Sequence, residues 1–288
     1  MNPPTSIGII GKPHQELTRT TVLDLMRFLE ARGIEYHLDR DTAETCEVDQ
    51  WIAKNQLVKQ VDLLISLGGD GTVLGVARLL VGQSTPILAV NLGRLGFLTE
   101  VKVDQIFEVL EEVLAGHYRV DHRMMLCAHV HRRGECFGSH TVLNDIVINK
   151  GALARIIELE LMVNEQFVTQ YRSDGLIVST PTGSTAYNLA ANGPIIHPSL
   201  TNMIITPICP HMLTNRSIVI PADGVHLSIN VKSHSSDVML TLDGQVGVGL
   251  QTDDIIHISK SDSVINMITH PNKNYYAILK EKMKWAEI

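Results

Sequence analysis

Gly68-Gly69-Asp70-Gly71-Thr72 places a carboxylate inside a glycine turn. The preceding residues, 61–67, form an almost continuous apolar run, the pattern of a strand covered on both faces. After Thr72, Val73, Val76, Ala77 and Leu80 recur at helical spacing. A strand that ends in glycines and opens a helix offers backbone amides to an anion, because glycine lets the chain turn tightly and a phosphate approach closely. Asp70 is then a carboxylate beside an anion site. Asp70 equally suits a plain helix cap in a glycine turn, and the loop alone does not separate the two readings.

Further along, Asn144 and Asp145 interrupt an otherwise apolar strand pattern over 142–148. Successive side chains of a strand point to opposite faces, so one of the pair faces inward unless the strand bends or is exposed. A buried amide or carboxylate needs partners, which a ligand's hydroxyls can supply; a strand-end turn is the plain alternative. Arg172-Ser173-Asp174-Gly175 leads into a strand at 176–178 and then into Ser179-Thr180-Pro181-Thr182-Gly183-Ser184-Thr185-Ala186-Tyr187. That hydroxyl-rich run opens a helix near Ala186 and can hold phosphate or ribose oxygens, or serve as an ordinary Ser/Thr-rich helix entry. Two such loops in different domains predict a cleft between the domains. His129 and His131 share one strand face at a spacing that could ligate metal, but no third ligand is evident, so no protein metal site is expected.

These residues need a scaffold, and the 288-residue chain favours two domains over one. The first part alternates strands and helices: apolar 7–10 ending at Gly11, a helix face at Leu17, Val22, Leu25, Met26 and Leu29 stopping before Gly33, and a strand through Ile34, Tyr36 and Leu38. The strand at 61–67 and its helix follow, then a buried strand at 87–90, the loop Asn91-Leu92-Gly93-Arg94-Leu95-Gly96-Phe97, and a helix marked by Ile106, Val109, Leu110, Val113 and Leu114. Such alternation makes a parallel sheet with helices on both faces. Beyond Gly116 the apolar period falls to two, as in Leu126, Ala128 and Val130, and Asn164-Glu165, Asp243-Gly244 and Asp253-Asp254 punctuate strands. The expected division is an α/β domain at 1–115, a β-rich domain at 116–265, and a final segment, 266–288, whose helix packs back on the first.

Composition removes several classes of function. A formal charge of -7 and a pI near 6.0 argue against a general nucleic-acid surface, local pairs such as Arg132-Arg133 notwithstanding. Cys46, Cys127, Cys136 and Cys209 show no Cys-x-x-Cys spacing, and neither a leader nor a run of membrane-spanning length occurs, which predicts reduced thiols and a soluble cytoplasmic protein without membrane partners. P-loop, Gly-x-Gly-x-x-Gly, His-Glu-x-x-His and Gly-x-Ser-x-Gly signatures are absent from the sequence.

With both loops and the Asn144-Asp145 pair in view, the chain resembles the NAD kinase family of the bacterial, ATP- or polyphosphate-dependent type. The matching segments are Gly68-Gly69-Asp70-Gly71-Thr72, Asn91-Leu92-Gly93-Arg94-Leu95-Gly96-Phe97-Leu98, Asn144-Asp145, Arg172-Ser173-Asp174-Gly175, Thr180-Pro181-Thr182-Gly183-Ser184-Thr185-Ala186-Tyr187 and Asp243-Gly244-Gln245, in the family's order across nearly the whole chain. The first motif is shared with diacylglycerol kinases and phosphofructokinases; its combination with the Thr-Gly-Ser-Thr-Ala-Tyr segment is far more specific. The resemblance implies a Rossmann-like N-terminal α/β domain, a β-rich C-terminal domain and a final segment returning to the first. It implies a kinase that moves a phosphoryl group from ATP, another NTP or polyphosphate to the 2′-hydroxyl of the adenosine ribose of NAD, giving NADP.

By the same resemblance, Asp70 is the catalytic residue, serving that hydroxyl as base or hydrogen-bond acceptor. Gly71, Asn144, Asp145, Arg155, Arg172, Asp174, Thr185, Ala186, Tyr187, Asn188, Leu189, Ala190 and Gln245 join it as NAD-binding residues. It also implies a divalent metal ion, Mg²⁺, arriving with the donor, and a homodimer or homotetramer with sites near subunit contacts. Two departures stand out: Asp145 where many relatives have a longer Glu, and Ser217 after Arg216 where some have Pro. The rival readings are a lipid kinase of the diacylglycerol kinase type and a non-catalytic NADP(H) sensor. The hydroxyl-rich loop favours a polar acceptor over a lipid, and retention of Asp70 favours catalysis over sensing.

Overall fold

The computed structural model describes residues 3–151, 156–233, 237–269 and 274–285. The chain divides into two compact units, Met1–His122 with Ile265–Ile288 and Arg123–Val264.

The first unit runs β1 (Ser6–Gly11), α1 (Glu16–Glu30), β2 (Glu35–Leu38), α2 (Arg40–Cys46), α3 (Lys54–Gln60), β3 (Leu63–Gly68), α4 (Asp70–Leu79), β4 (Ile87–Asn91), β5 (Val101–Lys102) and α5 (Ile106–Leu114). The strands pair in the order β5-β4-β3-β1-β2, every pair parallel. All of β3 and β4 is buried, which explains why both read as continuous apolar runs rather than alternating ones. One face of the sheet, through Ile7, Ile9, Ile65, Leu67, Leu88 and Val90, packs on Val22, Leu25 and Leu29 of α1 and on Ile106, Val109, Leu110 and Val113 of α5. Gly33, at φ 65°, supplies the left-handed turn after α1. Strand order reverses between β1 and β3, since the chain leaves β1 towards β2 and returns on the other side. In an open parallel sheet, ligands bind at the carboxyl ends beside such a reversal. The short helices α2 and α3 and the two-residue strand β5 are elements of this unit that the apolar periodicity does not reveal.

The second unit comprises β6 (Arg119–Arg132, which begins in the first unit), β7 (Glu135–Val142), β8 (Asp145–Lys150), β9 (Ile157–Val163), β10 (Gln166–Ser173), β11 (Gly175–Ser179), α6 (Tyr187–Ala190), β12 (Asn202–Ile208), β13 (Ile218–Pro221), β14 (His226–Val231), β15 (Val238–Leu242), β16 (Val246–Leu250) and the first part of β17 (Ile255–Thr269). One sheet has the order β10-β9-β14-β17 with β6 and β7 beyond; the other is β13-β12-β11-β8-β15-β16, antiparallel throughout. Their inner faces share one core, Leu126, Leu159 and Ile229 from the first sheet meeting Ile148, Val178 and Leu240 from the second. Asn164 and Glu165 both take positive φ, 47° and 64°, as do Asp243 and Gly244, 50° and 65°, the geometry of two-residue turns whose twist matches that of the flanking strands.

The strand pattern expected over 142–148 is two strands. β7 ends at Val142 and β8 begins at Asp145, with Leu143 and Asn144 in a bend between them. The break follows from the Asp243 carboxylate, which accepts the backbone N–H groups of Leu143, Asn144 and Asp145 at 3.1, 2.7 and 3.2 Å and so turns them away from ladder pairing. The end of β17 belongs to the first unit, where Met267 pairs in parallel with Ile87 of β4. The final helix, α7 (Tyr275–Met283), starts from Asn274, whose side chain accepts the Ala277 N–H at 2.9 Å, and buries Ile278 and Leu279. Lys282 donates to the Leu95 carbonyl, so the C-terminal segment returns to the first unit.

Candidate active site

Asp70 is the first residue of α4, directly after β3, at the carboxyl end of the parallel sheet. Its side chain does not cap that helix. It reaches instead to the second glycine loop, accepting N–H from Phe97 on Oδ2 at 2.9 Å, and on Oδ1 N–H from Leu98 at 3.1 Å and the Thr99 hydroxyl at 3.1 Å. A carboxylate offers about four lone-pair positions, so three donors fix its plane and leave room for a further one. Asn91 braces the same loop: its amide donates to the Arg94 carbonyl and to Thr99 Oγ1, both at 2.7 Å, and its oxygen accepts from the Gly93 N–H at 2.6 Å.

The glycines here divide by what surrounds them. A Cβ on Gly96 would collide with Asp70 Oδ1 and Thr99 Oγ1, and one on Gly68 with Thr72 Oγ1. Gly69 and Gly93 face open space instead, and neither adopts a left-handed backbone. Packing requires glycine at 68 and 96; at 69 and 93 nothing in the fold does.

In the second unit, the bend at Leu143 and Asn144 is locked to the hydroxyl-rich segment. Thr180 Oγ1 donates to the Leu143 carbonyl at 2.6 Å and accepts the Gly183 N–H at 3.0 Å, and the Thr180 N–H donates to the Asn144 carbonyl at 2.9 Å. Gly183 lies so close to Asn144 that any Cβ would strike its backbone. The expected helix near Ala186 is a 3-10 turn, Thr182–Thr185, followed by one turn of α-helix, α6. Ser184 and Asn188 are fully buried and spent on this architecture: Ser184 Oγ donates to the Pro181 carbonyl, and Asn188 donates to the Ser184 and Pro194 carbonyls while accepting from Thr206. Asn188 therefore shapes the segment rather than projecting from it. Tyr187 is exposed, Ala190 is exposed at the surface, and Thr185, Ala186 and Leu189 are half-buried.

Two polar atoms of this cluster stand out: Asn144 Oδ1 and Thr182 Oγ1 are buried without a hydrogen-bond partner. Such groups are costly unless something else completes them. Next to Asn144 in the chain is Asp145, 4% exposed, whose carboxyl is pushed up to about 7 by burial and by the neighbouring Asp243 carboxylate. Asn144, Asp145, Asp243 and the Thr182–Thr185 turn thus form one polar cluster, with Gln245 exposed just past the Asp243-Gly244 turn.

Arg172 and Asp174 are not brought to that cluster within the chain. Asp174 precedes β11 and pairs with Lys150 at 2.7 Å, while Arg172 pairs with Glu158 at 3.1 Å. The register that sets Gly175 opposite Asn149 and Ser179 opposite Asp145 puts them at the other end of the strands, a separation of about 13 Å at ~3.3 Å per residue. Arg155 lies outside the described residues. Gly71 sits in the first turn of α4, on the wall of a cavity of about 500 Å³ that Gly11, Lys12, Lys54 and Gly69 also line. Lys12 and Lys54 went unrecognised in the sequence; the position of Lys12, one residue past an apolar strand that ends in glycine, is the signal that could have found it. Lys54 gave none, because α3 carries too weak a periodicity. Among the described residues no helix is long and apolar enough to cross a membrane.

A doubly wound unit with a glycine-aspartate loop at its carboxyl edge, followed by a β-sandwich with unsatisfied polar groups, defines a two-unit nucleotide-handling protein. The sequence model of the ATP-NAD kinase N-terminal domain matches residues 7–118, and that of the ATP-NAD kinase C-terminal domain matches 143–270. The chain belongs to the NAD kinase family. It is 46% identical over 285 residues to an NAD kinase of Geobacter sp. (strain M21), covering 98% of this chain and 99% of the other. The NAD kinase of Geobacter sulfurreducens is 46% identical over 281 residues with the same coverage. Among solved structures, yeast NADH kinase complexed with NADH superimposes with a TM-score of 0.90 at 28% identity, covering 99% of this chain and 89% of that one. An NAD kinase from Archaeoglobus fulgidus in complex with ATP gives 0.78 at 23% identity, covering 97% and 98%, and shares the fold.

Proposed function

We propose that this protein transfers the terminal phosphoryl group of ATP to the 2′-hydroxyl of the adenosine ribose of NAD, yielding NADP. The observation that carries the reading is the Asp70 carboxylate, held by three donors of the 97–99 segment at the edge of a parallel sheet. Phosphoryl transfer passes through a loose transition state, so the protein's task is alignment and charge neutralisation more than covalent chemistry. A ribose hydroxyl does not ionise beforehand at neutral pH. Asp70 orients it through the remaining lone pair and takes its proton late, as the bond from ribose oxygen to phosphorus forms and the bond from phosphorus to the donor's bridging oxygen breaks. Its plane is fixed in advance by the loop, so little reorganisation accompanies the step.

On this reading Asn144 and Thr182 receive their missing partners from the dinucleotide, and Asp145 meets a ribose or base group. Gly71, Thr185, Ala186, Tyr187, Leu189, Ala190 and Gln245 supply backbone and surface contacts, with Asn188 holding their segment. The separation of Arg172 and Asp174 from Asn144 supports a homo-oligomer, dimer or tetramer, in which they serve a neighbouring copy's dinucleotide. A divalent ion such as Mg²⁺, arriving with the donor, would offset the charge of its phosphates. The compartment we infer is the cytoplasm, a reading supported by four cysteines that are all free thiols.

The test is a coupled assay with NAD, ATP and Mg²⁺, following NADP with an NADP-specific dehydrogenase, and a parallel incubation with diacylglycerol. NADP formation with no labelled lipid is the expected result. Tight NADP binding without turnover would replace this reading with that of a sensor, and labelled lipid would replace it with that of a lipid kinase.

A further inference from the structure

The cavity of about 500 Å³ beside the glycine loop lies where β1 and β3 end, at the reversal of strand order. Two lysines line it, and they are in opposite states. Lys54 is tied down: its ammonium lies 2.5 Å from Asp41 Oδ2 and 3.3 Å from Asp39 Oδ2. Asp39 is fully buried, the N-cap of α2, and its other donors are the Thr42 hydroxyl and the Asp41 N–H. Drawing Lys54 away would strand a buried carboxylate without its cation, which is strongly unfavourable. Lys12 is the reverse. Its backbone N–H is fixed to the Leu67 carbonyl at 2.8 Å, so its origin at the end of β1 is rigid, yet its exposed ammonium has no hydrogen-bond or ion-pair partner among the described residues.

The cavity wall at Gly69 is kept clear. Gly69 has extended backbone, φ -102°, and a Cβ there would meet nothing within 4 Å, so neither conformation nor packing accounts for the glycine. Ile10 and Val76 give the same cavity an apolar side. An anchored but unpaired cation, a bare backbone in the same cavity and an apolar wall together suit a polyphosphate carrying a nucleoside.

We propose that Lys12 binds the phosphates of the phosphoryl donor in this cavity, while Lys54 is a structural cation that holds Asp39 and Asp41 and does not reach the donor. The assignment rests on the kinase reading above and extends it to a donor residue. In the holoenzyme, Lys12→Ala should raise the KM for ATP by about tenfold, the usual worth of one charge-assisted phosphate contact, with the KM for NAD within about twofold of wild type. Inorganic tripolyphosphate, used as a competitor against ATP, should lose potency in parallel, and Lys12→Arg should restore most of both. The thermal midpoint should stay unchanged for Lys12→Ala and fall for Lys54→Met. An unchanged KM for ATP in Lys12→Ala, an equal rise in both KM values, or a rise in Lys54→Met matching that of Lys12→Ala overturns the proposal. Failure of the wild-type protein to form NADP would instead overturn the kinase reading.

Discussion

The two units hold their polar machinery in opposite conditions. In the α/β unit, Asp70 already has three donors on its carboxylate and Asn91 three bonds of its own. In the sandwich, Asn144 Oδ1 and Thr182 Oγ1 are buried with no partner, and Asp145 is buried beside the carboxylate of Asp243. A group that must act on a reacting atom gains from being fixed before the substrate arrives; groups that recognise a substrate gain from being left incomplete, because the ligand then supplies what the fold withholds. On the proposed reading the contrast separates a group that acts from groups that recognise, and substitutions in each unit should fail in different ways.

The largest effect belongs to Asp70→Asn. The amide can still accept from Leu98 and Thr99 on one side, but it presents an NH₂ group where Phe97 donates and cannot take a proton from a ribose hydroxyl. Turnover should fall by about 10²-fold or more, within the range of lost general-base catalysis, with the KM for NAD little changed. Near-normal turnover would reduce Asp70 to a staple for the 97–99 segment and erase the contrast. Next comes Asp243→Ala, which removes the acceptor of three backbone N–H groups at the 143–145 bend. A loss of about 3–4 kcal/mol in unfolding free energy is expected by denaturant titration, from donors left without partners.

Why the first unit was easier to read than the second follows from these same residues. Strands buried on both faces, such as β3 and β4, announce themselves as apolar runs, and Gly68-Gly69 marks where the run meets a helix. The Asn144-Asp145 pair was visible as polar residues in an apolar setting, but the break in the strand was not. It depends on Asp243, about a hundred residues away in sequence, and a contact that remote leaves no local period. The hairpins at Asn164-Glu165 and Asp243-Gly244 were legible because their turns demand positive φ, which few residues tolerate. Lys54 was invisible for the opposite reason: its role comes from Asp39 and Asp41 across a loop, and α3 is too short to carry a pattern.

A smaller and pH-dependent effect sharpens the picture within the sandwich. Asp145 has its folded-state pKa raised from 3.8 to about 7, so the folded protein holds a proton there that the unfolded chain releases near pH 4. Its contribution to stability is therefore complete below about pH 4, declines as the pH rises towards 7, and is lost above that. Asp145→Asn mimics the protonated acid and does not titrate. The variant should lie within about 1 kcal/mol of wild type near pH 4.5 and exceed it by about 2–3 kcal/mol at pH 8.5, below the ~4 kcal/mol ceiling that three pKa units set. Chemical denaturation at the two pH values measures the difference. Equal stability of the two proteins at both would mean that Asp145 is not held as a buried acid.

Thr182→Val gives the smallest effect and the one that bears most directly on incompleteness. Thr182 is 6% exposed and its hydroxyl has no partner, so exchanging it for a methyl of similar volume removes an unfavourable burial and loses no bond within the protein. The fold should be unchanged or stabilised by up to about 1 kcal/mol. If the hydroxyl is reserved for the dinucleotide, the same substitution should weaken NAD binding by about fivefold, the worth of one neutral hydrogen bond, while leaving turnover at saturating NAD near wild type. Thermal melts with and without NAD read both quantities on one sample. A variant that is more stable without NAD yet gains less from it is what an acceptor site left open by the fold must produce. A variant stabilised equally in both conditions would mean that the unpaired hydroxyl is a packing defect.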